Sequence, residues 1–180
     1  MQKSMLYVLM ISLFSLLFFM GVASAHDPSE AVGGAHAHQL PPPWPYHMIM
    51  VVVGAMSLTG GAFTARYLKQ RTGWVGLHKK LALAGVVPVL AGIFIAAYMV
   101  SVYMETSFVR ETHAYLGASV FIFLIVTPLL GLYQFRSRDK RIHTIHRWSG
   151  RITIILILFT IIAGIQMVLT VLAQNAMPIK

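Results

Sequence analysis

Charged residues are absent from four long stretches of the chain: His47 to Ala65, Leu81 to Met104, His113 to Phe135 and Ile152 to Ile179. Each is close to or beyond the roughly 20 residues that cross a bilayer as a helix. In hydrocarbon only a helix or a closed barrel satisfies every backbone polar group, and apolar runs of this length without strand-like alternation favour the helix. The pattern therefore predicts an all-α integral membrane protein, a bundle of four transmembrane helices. A fifth apolar run, Met5 to Val22, is different: Lys3 precedes it and Ala23-Ser24-Ala25 follows it. A basic start, an apolar centre and a small-residue end predict a cleavable signal peptide over 1–25, with a retained extra helix as the alternative. Residues 26–45 are rich in His, Pro, Gly and Ala and end in Pro41-Pro42-Pro43-Trp44-Pro45, which predicts a stiff, non-helical linker. One four-helix domain, 46–175, is expected after it.

Composition narrows the class. Hydrophobic residues make up 57% of the 180 and charged residues 11%, against about 25% charged in a soluble domain. The net charge of +9 suggests nucleic acid only until the charges are located. Arg66, Lys69, Arg71, Lys79 and Lys80 lie between the first two apolar runs, and Arg136, Arg138, Lys140, Arg141, Arg147 and Arg151 between the last two. Such clusters are membrane-flanking loops, and the positive-inside rule makes them cytoplasmic. Asp27, Glu30, Glu105 and Glu111 fall on the opposite side, and Asp139 is the exception. The expected setting is a bacterial inner membrane, with the linker and the C-terminus periplasmic. No cysteine is present, which excludes disulfides, iron–sulfur clusters, thiolate ligation and covalent c-type haem.

Four of the eight histidines stand at the starts of the four apolar helices: His47, His78, His113 and His146. Alternating helix direction puts His47 and His113 near the outer face and His78 and His146 near the inner one. An ionisable group at membrane depth is costly unless it is paired or ligated, and a single one is commonly an interfacial hydrogen bonder. Four, sorted two and two by depth, point to metal ligation. The expected ligand pairs are therefore His47 with His113 and His78 with His146, each suited to bis-histidine ligation of a b-type haem, with two haems expected. Glycines follow at helical offsets: Gly54 and Gly61 at +7 and +14 from His47, Gly85 and Gly92 likewise from His78, Gly117 and Gly131 at +4 and +18 from His113, and Gly150 and Gly164 likewise from His146. These offsets keep to one face. They leave room for a porphyrin or let helices pack closely, and the two roles are compatible.

Other residues carry weaker signals. His143 precedes His146 by three on the same face and reads as interfacial, or as a propionate or substrate contact. His26, His36 and His38 lie in the linker, where His-Ala-His is a weak transition-metal motif. Trp44, Tyr46, Trp74, Tyr98, Tyr103 and Trp148 read as belt anchors. Pro88 and Pro128 are expected to kink their helices beside a cofactor pocket.

The stretches His47 with Ala65-Arg66-Tyr67-Leu68-Lys69, Trp74 to His78, His113 with Gly117 and Gln134, and His146-Arg147-Trp148-Ser149-Gly150-Arg151 together resemble the transmembrane domain of the cytochrome b561 family, in its short four-helix form. The likeness covers roughly residues 44–170. It implies two b haems in a four-helix core, His47 and His113 ligating the outer one, His78 and His146 the inner one, and electron transfer through the membrane. It differs from the eukaryotic members in lacking their additional helices, which leaves ascorbate chemistry open beside a quinol, a ferric chelate or a redox protein as donor or acceptor. Arg66, Lys69, Arg147 and Arg151 are candidate partners of the inner haem's propionates or of an anionic donor, beside a plain topological role.

The expected function is transmembrane electron transfer, by an electron-transfer protein or transmembrane oxidoreductase in contact with lipid and open to homodimerisation. Two alternatives stand beside it: a haem-containing anchor subunit of a quinone-linked reductase, and a haem-free, histidine-based metal transporter or sensor. The charge pattern yields a first test. Tags placed between Lys69 and Trp74, or between Arg136 and Lys140, should react only from the cytoplasmic side, and labelling of either tag from outside intact cells would reverse the topology.

Overall fold

The computed structural model describes residues 40–103, 112–137 and 139–176. The signal-like segment, His26, His36 and His38, Glu105, Glu111, Arg138 and the last residues of the fourth apolar run lie outside them. The described residues form four helices: α1, Trp44–Tyr67; α2, Trp74–Tyr103; α3, Thr112–Arg136; and α4, Lys140–Ala176. All four are long and apolar enough to cross a membrane. No strand occurs among the described residues.

The helix ends depart from the charge-free runs for a physical reason. Lysine and arginine are good helix formers, so charge marks the edge of the hydrocarbon and not the end of a helix. As a result α2 starts seven residues before Leu81 and α4 twelve before Ile152. His78 and His146 therefore sit inside their helices, one turn and nearly two turns from the start. The linker, too, gives up its last residues to α1. Pro45 occupies the first turn, where its missing N–H would have had no partner. Helices α2 and α3 continue without interruption through Pro88 and Pro128.

Two short turns join the helices into antiparallel hairpins. Between α1 and α2 the chain reverses over Leu68 to Gly73, and Gly73 takes φ +80°, a conformation that glycine alone adopts without strain. Between α3 and α4, the Asp139 carboxylate accepts the Arg141 backbone N–H at 2.8 Å, which makes it the N-cap of α4. The single acid at the basic end of the chain thus acts locally, satisfying an orphan donor and complementing the helix dipole.

Packing is close within each hairpin, while α1 meets α4 and α2 meets α3 over fewer residues. Gly54 and Gly85 let α1 and α2 come together. A Cβ on Gly54 would overlap Val89 Cγ2 and lie 2.7 Å from the Gly85 carbonyl oxygen, and one on Gly85 would lie 2.8 Å from the Gly54 oxygen. Val89, Val120, Leu124, Leu156 and Ile157 form the buried core. The outer surface is apolar on every helix, with Met56, Leu83, Ile122 and Leu158 all exposed. Buried threonines and serines, by contrast, face inward. Large apolar side chains outside and small or hydroxylic ones inside are the distribution a lipid solvent favours.

The close approach can be tested with one substitution and a control. Gly54→Ala should destabilise the bundle by about 1–3 kcal/mol through overpacking. Gly76→Ala, where an added Cβ meets nothing, should be neutral or stabilising by about 0.5–1 kcal/mol, because alanine is the better helix former. Thermal melts in detergent followed by circular dichroism would show the opposite signs.

Two histidine pairs as the candidate functional site

The four helix histidines share one local arrangement. Each points its Nδ1 at a backbone carbonyl of the other helix in its own hairpin. His47 reaches Gly92 at 2.8 Å, His78 reaches Gly61 at 2.8 Å, His113 reaches Thr160 at 2.9 Å and His146 reaches Thr127 at 3.0 Å. A carbonyl can only accept, so Nδ1 carries the proton in every case, and in the neutral ring Nε2 carries the lone pair. The acceptors follow a rule: Gly61 lies fourteen residues after His47, Gly92 after His78, Thr127 after His113 and Thr160 after His146. Each hairpin is therefore laced reciprocally, one imidazole near each end. At about 1.5 Å per residue the two levels are about 21 Å apart.

Ring partners, unlike Nδ1 partners, come from the other hairpin. His47 and His113 have ring centroids 6.0 Å apart with planes at 88°, and His78 and His146 have centroids 6.3 Å apart at 80°. These pairs join diagonal helices, α1 with α3 and α2 with α4, whose backbones do not otherwise approach each other. With about 1.15 Å from ring centre to ring nitrogen, nitrogens across such a gap come no nearer than about 3.7 Å, beyond hydrogen-bond range. One metal ion between two imidazoles, with bonds of about 2 Å on opposite sides, places the centroids about 6.3 Å apart. The measured separations fit that spacing at both levels. Among the described residues no group of three or more histidines or acids gathers as for a metal held by protein alone.

The glycines divide their work. Gly54 and Gly85 serve helix contact, as above, and Gly61 and Gly92 present the carbonyls that hold His78 and His47, Gly92 also lying where a Cβ would come within 2.9 Å of Val51 Cγ2. Gly131 and Gly164 seat the rings: a Cβ there would lie 3.0 Å from Cε1 of His146 and 2.9 Å from Cε1 of His113. Gly117, one turn after His113, is half-buried and yet faces open space, and Gly150, one turn after His146, has a single neighbour, Thr127, at 3.8 Å. Close packing and clearance are thus both present, assigned to different positions.

Arg66, Lys69, Arg147 and Arg151 are exposed, all at the end of the bundle that carries His78 and His146. Arg151 lies 5.0 Å over the ring of its neighbour Trp148. Lys79, which by sequence falls among the loop charges, stands 3.9 Å over the Phe135 ring and ties α2 to α3 beside the His78–His146 pair. His143 is exposed on α4 and joins neither pair.

Comparisons of the chain with family models, with curated proteins and with solved structures found no match. The tautomer of the helix histidines is open to direct measurement: nitrogen-15 spectra of histidine-labelled protein should show Nδ1 protonated at all four helix positions, and an Nε2-protonated signal from any of them would contradict the arrangement.

Proposed function

We propose that this chain carries electrons across a membrane through two b-type haems, one ligated by His47 and His113 near the outer face and one by His78 and His146 near the inner face. The observation that carries the reading is the pairing of diagonal imidazoles at 6.0 and 6.3 Å, with every Nδ1 already engaged and every Nε2 left to ligate. Two protein nitrogens leave most of a metal's coordination unfilled, and a porphyrin supplies the four that are missing. A metal transporter or sensor without haem is less well supported, since the described residues bring no third histidine, aspartate or glutamate to either level.

Haem held by His47 with His113 and by His78 with His146 would supply reversible one-electron exchange. The imidazoles fix position and orientation, and the carbonyls behind them raise ligand basicity and hold each ring in place. Val89, Val120, Leu124, Leu156 and Ile157 fill the space between the levels and keep water out of it. With no cysteine in the chain, attachment is by ligation alone. The open side of Gly117 and the sparse surroundings of Gly150 fit clearance for a ring beside each pair. Arg66, Lys69, Arg147 and Arg151 suit propionates or an anionic donor at the basic end, which faces the cytoplasm of a bacterial inner membrane in this reading. Quinols, ferric chelates, ascorbate-like reductants and redox proteins are the donor and acceptor classes the surface admits.

Purified protein should show a reduced b-type spectrum with two haems per chain, all of it extracted by acid acetone. His47→Ala and His113→Ala should each remove or perturb one haem, and the double variant should do little more, because the two residues act as a unit. His113→Ala with His146→Ala should abolish both. A colourless, folded preparation defeats the proposal. A His47 variant that keeps both haems unchanged, alongside a His143 variant that loses one, defeats the ligand assignment.

A further inference from the structure

The two levels are alike in their imidazoles and unlike in what stands behind them. At the inner level Thr127 of α3 is held to α4 at three points. Its carbonyl accepts the His146 Nδ1–H, its hydroxyl lies 2.5 Å from Ser149 Oγ, and the same hydroxyl lies 3.1 Å from Thr153 Oγ1. Hydrogen bookkeeping gives the cluster a direction. The Thr153 hydroxyl donates its one hydrogen to the Ser149 carbonyl at 2.8 Å, so Thr127 must donate to Thr153, and Ser149 must then donate to Thr127. Three hydroxyls form a directed chain, cooperative in a dry interior, with Ser149 and Thr153 at 1% and 4% exposure.

The other three acceptors have no such support. Gly61 and Gly92 carry no side chain. Thr160, which accepts from His113, turns its own hydroxyl to Leu156 within α4. Ser57 does cross from α1 to α2 near the inner level, but it bonds the Leu81 carbonyl and not an imidazole acceptor.

Resting on the haem reading above, we infer that Thr127, Ser149 and Thr153 act as positioning residues that fix the strength of the His146 Nδ1–H bond and so set the inner iron site apart electronically from the outer one. An acceptor anchored to α4 by its own hydroxyl keeps this bond, at 3.0 Å the longest of the four, from being lost, and with it the imidazole's donation to iron. Strong donation favours the ferric state and lowers that site's potential. Loosening the acceptor should therefore raise the potential of one site and leave the other alone.

Thr127→Val retains the carbonyl and the branched shape while removing the hydroxyl. In the full-length protein it should retain two haems per chain, raise one of the two midpoint potentials, and change the electron paramagnetic resonance signal of one ferric haem. Thr127→Ser should restore both signatures, and Thr59→Val, whose hydroxyl bonds only the Ala55 carbonyl within α1, should alter neither potential. Ser149→Ala removes the donor to Thr127 and should shift the same potential in the same direction, which keeps the test available if Thr127→Val fails to fold. Wild-type protein with two haems whose potentials are unmoved by Thr127→Val and Ser149→Ala, or moved together by either, overturns this inference alone. Wild-type protein without haem overturns the function as well.

Discussion

A membrane interior offers no water to a polar hydrogen, so each imidazole N–H placed there must find an acceptor within the chain. The four Nδ1–H groups find theirs on backbone carbonyls of the adjacent helix, and most of the architecture follows from that one requirement. A carbonyl fourteen residues beyond the partner histidine is within reach only if the two helices of a hairpin run antiparallel in one fixed register. Sliding α2 along α1 by a single residue displaces it by about 1.5 Å and weakens both bonds at once, since they lie at opposite ends of the same contact. Reciprocal lacing thus sets the height of every imidazole before any ring meets its partner in the other hairpin.

The second constraint is how far apart the hairpins stand. Within α1–α2, Gly54 and Gly85 bring backbones into contact, whereas the backbones of diagonal helices stay apart and their imidazoles meet across the gap. Close packing inside each half and looser packing between halves leave the sites along the bundle axis, where rings from opposite corners can share an occupant. Hydroxyls buried in the interior are satisfied locally, and no buried side-chain polar atom among the described residues lacks a partner.

Much of this was legible in the sequence. The absence of charge over four runs gave the number of helices, and alternation of direction with four histidines gave the pairing that the ring distances of 6.0 and 6.3 Å display. Helix ends were less legible, because Lys79, Lys80 and Arg141 stop a membrane span without stopping a helix. The glycine offsets were visible but their roles were not: Gly61 and Gly92 hold imidazoles through carbonyls, which any residue possesses, and only at Gly92 does a close neighbour, Val51, also call for glycine. The common offset of fourteen was available as a signal, yet at Thr127 and Thr160 it falls on residues that composition does not distinguish. The Thr127, Ser149 and Thr153 cluster was beyond reach for a related reason, since hydroxyl direction depends on which helices face each other.

Each pair draws one imidazole from each hairpin, and this bears on how the protein is made. A ribosome that has delivered α1 and α2 to the membrane has produced a finished, internally bonded unit holding two unpartnered imidazoles. Synthesis of α3 supplies His113 and completes neither its Nδ1 bond nor the His78–His146 pair, because Thr160 and His146 are still to come. Both pairs become complete only once α4 is inserted, so a nascent chain interrupted before that point presents no two facing imidazoles with both Nδ1 bonds made.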